Sequence, residues 1–119
     1  MRIVYIAGKY RGPNGWAVAE NIRAAERVGF AVAQLGAMPL IPHSNTANFD
    51  RTLDDKFWID GTLELLRRCD AVIMVDGWEH SVGATGERTE AHRLGMPIFY
   101  NIGQLSDWLS RAGVRGAAE

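Results

Sequence analysis

Two stretches of this chain, Ile3–Ala7 and Ala71–Val75, are unbroken runs of apolar and mostly β-branched or long aliphatic residues. A strand with one wet face alternates apolar and polar positions, so a run without alternation reads as a strand covered on both sides. Each run leads into a polar loop and then a segment with helical spacing. Trp16–Leu35 puts Ala24, Val28, Ala31, Val32 and Leu35 on one face, and Gly36 is placed to close that helix in a left-handed cap. Gly29 inside it costs helix propensity, which a close approach to the sheet explains. "PLIP", Pro39–Pro42, reads as a short edge strand, because proline cannot donate to a ladder. Asp54–Arg68 carries Ile59, Leu63 and Leu66 at helical spacing, and Ala84–Leu94 is a third helix closed by Gly95. Pro97–Tyr100 is a fourth strand, and Leu105, Trp108 and Leu109 mark a last helix followed by a frayed "GVRGAAE". Strands alternating with helices predict an α/β architecture: a mainly parallel sheet with right-handed crossovers and helices on both faces.

In such sheets ligands bind at the carboxyl ends of the strands, where the strand order switches. Three loops fall there: Gly8–Gly15, His43–Thr52 and Asp76–Gly83. The chain has 119 residues, enough for one core, and reads as a single domain over 1–119. Its formal net charge of -1 removes any general attraction for a nucleic acid polymer or an anionic membrane, so phosphate binding requires a local site. Cys69 is the only cysteine, which excludes an internal disulfide and a cysteine-based zinc cluster. The apolar run at the N-terminus is too short for a signal peptide or a membrane span, and a cytoplasmic location is expected.

Glu87 is the residue that most invites a chemical explanation. Ala84, Glu87, Ala91 and Leu94 share one helical stripe whose other members are small or apolar, so the carboxylate faces the protein body. With the helix starting near Ala84, Glu87 falls in its first turn, where amides and dipole favour an anion. The structural alternative is a Glu that bonds its own helix start, as in a capping box. Ser81-Val82-Gly83-Ala84 ahead of it combines a hydroxyl, a glycine that permits close approach and free helix amides: a phosphate cradle, or simply a Ser cap with a turn glycine. In the first loop, Gly8-Lys9-Tyr10-Arg11-Gly12 brings two cations beside glycines, and Arg11 can grip a phosphate with two nitrogens.

Other positions carry weaker signals. His43, His80 and His92 lack metal-ligand spacing, and neither a metal nor another cofactor is expected. His43 is placed to touch a substrate or to serve the structure. Trp58 and Trp78 can stack on a base, Trp58 equally well in the core. Asp60 and Asp76 can pair with Glu87 or protonate a leaving group. Cys69 reads as a small buried residue.

At these same residues the chain resembles the nucleoside 2-deoxyribosyltransferase-like superfamily. Within it the chain is most similar to the 2'-deoxynucleoside 5'-phosphate N-hydrolases and to a bacterial and phage group of DUF4406 domains. The likeness runs through "YIAGKYRG", "PLIPH" and "WIDGTLELLRRCDAVIMVDGWEHSVGATGERTEAHRLGMPIFY", with the Ser-x-Gly-x-x-x-Glu spacing of Ser81 to Glu87 as its most specific part. It implies a flavodoxin- or Rossmann-like three-layer fold with four to five strands, a homodimer, and cleavage of an N-glycosidic bond. It further implies that Glu87 attacks the anomeric carbon, that Ser81 and Arg11 hold a 5'-phosphate, and that Tyr5 belongs to the site. Where nucleoside-specific transferases often carry an acidic residue this chain has Ser81, which favours a nucleotide. One position departs from the pattern: the active-site Asp those enzymes carry ahead of the third strand corresponds to Thr62 here, and Asp60 lies about half a helical turn away. The expected function is N-glycosidic cleavage or transfer on a (deoxy)nucleoside 5'-monophosphate through a glycosyl-Glu87 intermediate. The alternatives are a non-catalytic nucleotide-binding or sensing module of the same fold, and a structural assembly domain.

Overall fold

A computed structural model describes residues 1–49 and 52–118, with side chains through Arg111. Four strands form one sheet: β1 (Ile3–Ala7), β2 (Met38–Leu40), β3 (Ala71–Met74) and β4 (Ile98–Phe99). They lie in the order β2-β1-β3-β4, and every pair is parallel. The helices are α1 (Gly15–Gln34), α2 (Pro42–Asn45), α3 (Asp55–Arg67), α4 (Val82–Arg93) and α5 (Ile102–Ala118), with a 3-10 turn at Trp78–His80. This is the expected three-layer α/β arrangement with the lower of the expected strand counts.

The continuous apolar runs explain the layering. Alternate residues of β1 point to opposite faces. Val4 and Ile6 pack with Ala25 and Val32 of α1 and Leu105 of α5, whereas Tyr5 and Ala7 pack with Leu66 of α3 and with Ala84 and Ala91 of α4. The chain leaves β1 toward β2 on one side and reaches β3 on the other, so strand order switches between β1 and β3. The loops after these two strands are therefore neighbours at one sheet edge.

Several boundaries differ from the sequence reading, each for a local reason. The second strand ends at Leu40 and not at Pro42, because Pro42 opens α2 at a first-turn position, where a missing N–H costs nothing. Its edge position is as expected. The third helix begins at Val82, two residues early, because Ser81 caps it by accepting from the Ala84 amide at 3.1 Å. Ile59 is 54% exposed: α3 buries Leu66 and half-buries Trp58 and Leu63 instead. The segment read as frayed continues α5 to Ala118, and Glu119 lies outside the described residues. Cys69 is half-buried, its thiol directed to the Leu65 carbonyl.

An added Cβ would come within 3 Å of a neighbour at three glycines, Gly8, Gly12 and Gly29, and at Gly12 the neighbour is Ala17 Cβ at 2.6 Å. A Cβ on Gly29 would stand 2.5 Å from Ile41 Cδ1, a flexible chain end just beyond β2, and 3.5 Å from Pro39 Cβ within it, the close approach to the sheet that its place in α1 implied. A Cβ on Gly8, just beyond β1, would stand 2.8 Å from Val75 Cβ, which is stiffly tied to the backbone beyond β3. Gly8→Ala is therefore expected to destabilise the fold by about 1–3 kcal/mol, the range for overpacking, measured by urea denaturation. A stability equal to wild type would show that the contact between these strand ends is loose.

Candidate active site

The alternation of β1 turns Tyr5 toward α4, and that side chain is fully buried. Ala84 and Ala91 are small and buried, which lets α4 lie close to the sheet; Glu87 lies between them on the same side of the helix. The Tyr5 hydroxyl donates a hydrogen bond to Glu87 Oε2. Burial pushes the Glu87 carboxyl up to about 7, with the Tyr5 hydrogen bond acting in the opposite direction. Burial, followed by the charge and the hydrogen bond of Glu87, holds the Tyr5 phenol well above its usual range. The inward carboxylate expected from the stripe is thus present, but its support differs from the expectation. With α4 starting at Val82, Glu87 lies in the second turn, beyond the reach of the first free amides. The third helical position, where a capping-box Glu belongs, is Ala84. The partner of the carboxylate comes from the sheet, not from its own helix.

The loop after β1 is held from two sides. Asn21 of α1 donates through Nδ2 to the carbonyls of Tyr10 and Arg11, at 3.0 and 3.3 Å. His43 Nε2 donates to the carbonyls of Gly8 and Lys9, at 3.0 and 3.2 Å. The His43 ring is 4% exposed, and burial lowers its pKa below the ordinary value. Its Nδ1 has no hydrogen-bond partner among the described residues. His43 thus fixes the backbone at Gly8 and Lys9. Lys9 is exposed, and Arg11, likewise exposed, pairs with Asp55 at 3.3 Å.

On the neighbouring loop, Ser81 is half-buried and Gly83 exposed beside it, with an open environment around the glycine. Trp78 is half-buried between two neighbours that the sequence reading did not assign to the site: the Arg88 guanidinium, 5.3 Å from the indole centroid, and Tyr100, 5.9 Å between ring centroids and just past β4, which ends at Phe99 and not at Tyr100. The spacing of Ala84, Arg88 and Ala91 on one helical stripe was the available signal for Arg88; no local pattern pointed to Tyr100. Trp58 stacks on Phe49 and meets Phe57 edge-on.

Neither of the other two carboxylates is hydrogen-bonded to Glu87. Asp60 turns to Lys56 one helical turn away, with 58% of its side chain exposed. Thr62 bonds back to the Trp58 carbonyl at 2.6 Å. Asp76 is exposed just beyond β3. Among the described residues no cluster of His, Cys, Asp and Glu is suited to a metal ion, and no helix is long and apolar enough to cross a membrane.

No curated protein matches the chain. Among solved structures, the chain is similar to the 2-deoxyribosyltransferase from the psychrotolerant bacterium Bacillus psychrosaccharolyticus. The TM-score is 0.62 at 17% identity, over 81% of this chain and 69% of that one. At that identity the likeness speaks for the fold. Residues 2–100 match the family model described as "Domain of unknown function (DUF4406)". That match takes in every strand, the Tyr5–Glu87 pair and both loops beside it, and the chain accordingly belongs to the DUF4406 family, built on the fold of a 2-deoxyribosyltransferase.

Proposed function

We propose that the chain cleaves or transfers the N-glycosidic bond of a (deoxy)nucleoside 5'-monophosphate, with Glu87 as nucleophile. The observation that carries this reading is the half-buried Glu87 carboxylate turned toward the sheet and held against the buried Tyr5 hydroxyl at the switch in strand order. Turning a carboxylate into an apolar layer is costly, and such placements concentrate where the group performs chemistry. The fold shared with a 2-deoxyribosyltransferase supports the same reaction class.

In the first step a Glu87 oxygen bonds to the anomeric carbon as the bond to the base nitrogen breaks, through an oxocarbenium-like transition state. The departing base takes the bonding pair and a proton. Asp76, exposed at the end of β3, suits that proton transfer better than Asp60, which is engaged by Lys56 on an outer helix face. The Tyr5 hydroxyl orients the carboxylate and shares its charge. Water then releases the sugar, or a second base takes it; the product distinguishes hydrolase from transferase. A second reading, nucleotide binding without turnover, is favoured by Thr62 and by the distance-independent fact that Asp60 is committed elsewhere. Incubation with deoxynucleoside monophosphates, with free base followed by chromatography, separates the two. No base released from any of them, alongside measurable binding, selects the second.

Glu87→Gln is expected to lower kcat by about 10³-fold or more, since a lost nucleophile is not compensated by its neighbours. Because the ionised form attacks, kcat should rise about tenfold per pH unit below 7 and level off above it. A rate flat from pH 5 to about 8 would oppose Glu87 as the attacking group.

The same burial predicts a stability effect. A carboxyl raised in the folded state favours the protonated form, so stability falls as pH rises from the unfolded value of 4.5 through about 7, and the penalty is complete above that. Glu87→Gln removes the charge and should raise stability at pH 8 by about 1–3 kcal/mol while leaving it unchanged near pH 4. An equal change at both values would assign the effect to packing.

A further inference from the structure

Arg88 follows Glu87 directly in the sequence, yet the two side chains leave α4 on opposite flanks of the Ala84–Ala91 stripe. Glu87 reaches Tyr5 in β1, and Arg88 reaches Tyr100 just beyond β4. Arg88 Nε donates to the Tyr100 hydroxyl at 2.7 Å. Its guanidinium carbon lies 5.3 Å from the Trp78 ring centroid and 5.8 Å from that of Tyr100. Side chains on a helix lean toward its N-terminus, which here is the direction of Trp78 and the Ser81 corner. The group is thus held by three elements: the turn after β3, α4 and the end of β4.

What this arrangement leaves free is informative. Among the arginines whose side chains are described, Arg2, Arg11, Arg23, Arg67, Arg68 and Arg93 are ion-paired with a carboxylate, and Arg27, Arg88 and Arg111 are not. Arg88 is held instead by two rings and a neutral hydroxyl, which orient it without cancelling its charge. Its two terminal nitrogens make no hydrogen bond among the described residues. A guanidinium oriented in advance, with its fork open and its charge unspent, is a receptor for an oxyanion. Arg11 is the less prepared cation: it is 78% exposed and already paired with Asp55.

We propose that Arg88, clamped by Trp78 and Tyr100, recognises the phosphate monoester of the substrate and so sets the preference for a nucleotide over a nucleoside. The inference rests on the reading of the site as one that binds a nucleoside monophosphate, and departs from the assignment of that cation to Arg11. Arg88 is a specificity residue here, not a participant in bond cleavage.

Calorimetric titration of the full chain with deoxyadenosine 5'-monophosphate, deoxyadenosine and inorganic phosphate tests it. Wild type should bind the monophosphate at least about tenfold more tightly than the nucleoside, and R88Q should lose about tenfold or more for the monophosphate with nucleoside affinity within about twofold. R88K, which keeps charge but lacks the planar fork, should recover only part, and R11Q should lose less than R88Q. Inorganic phosphate should displace the nucleotide from wild type and bind R88Q too weakly to compete. Unchanged monophosphate binding in R88Q, equal losses for both ligands, or a larger loss in R11Q overturns the proposal. Should R88Q fail to fold, Y100F keeps the ring and removes the hydroxyl; a loss of about three- to tenfold confined to the monophosphate supports the proposal, and no loss overturns it. Wild-type protein that binds neither nucleotide nor nucleoside overturns this inference and the proposed function together, whereas nucleotide binding indifferent to Arg88 overturns this inference alone.

Discussion

The hydrogen bond from Tyr5 to Glu87 ties the buried side of the sheet to the helix that crosses it, and much of the surrounding structure follows from accommodating it. An acidic side chain inside an apolar layer loses hydration, so it needs a donor supplied by the protein and a helix close enough to bring the two together. Ala84 and Ala91 permit that approach, and the alternation of β1 presents Tyr5 on the required face while Val4 and Ile6 fill the opposite layer. The result is a carboxyl whose proton is held to about 7, poised between neutral and charged near physiological pH.

Around this pair, the molecule uses backbone and side-chain contacts to make the neighbouring loops firm. His43 and Asn21 hold four successive carbonyls of the loop after β1, from Gly8 to Arg11. Gly8 lets that loop pass against Val75 at the end of the adjacent strand. On the other side, Ser81 ends the loop by capping α4, and the Trp78–Arg88–Tyr100 cluster closes the flank next to β4. The loops that meet at the strand-order switch are thus held by residues of α1, α2 and the start of α4, at the edge where open parallel sheets bind ligands.

The sequence reading succeeded where a signal is carried by neighbouring residues. The unbroken apolar runs, the helical stripe of Glu87, the Ser81 cap and the left-handed Gly36, with φ of 90°, all depend on local spacing and local backbone preference. It missed where two local rules competed. "PLIP" satisfied the composition of a strand, yet Pro42 also suits a helix start, and the helix prevailed. The start of α4 moved to Val82 because the Ser81 cap outweighed the weak helix propensity of Val82 and Gly83. Ile59 fitted the apolar stripe of its helix, but Phe49 and Phe57 gather around Trp58 on that stretch and leave Ile59 outside.

From the linear order of residues came the layers, the parallel strands, the edge position of the second one and the inward aim of Glu87, because period and turn chemistry act over a few positions. Partners were a different matter. Tyr5 and Glu87 stand 82 residues apart, His43 and the Gly8 carbonyl 35, and Arg88 and Tyr100 12. Which polar group meets which depends on strand order and on the distance at which a helix settles over the sheet. Neither quantity is written in local spacing, and both arise only when the apolar layers close on one another.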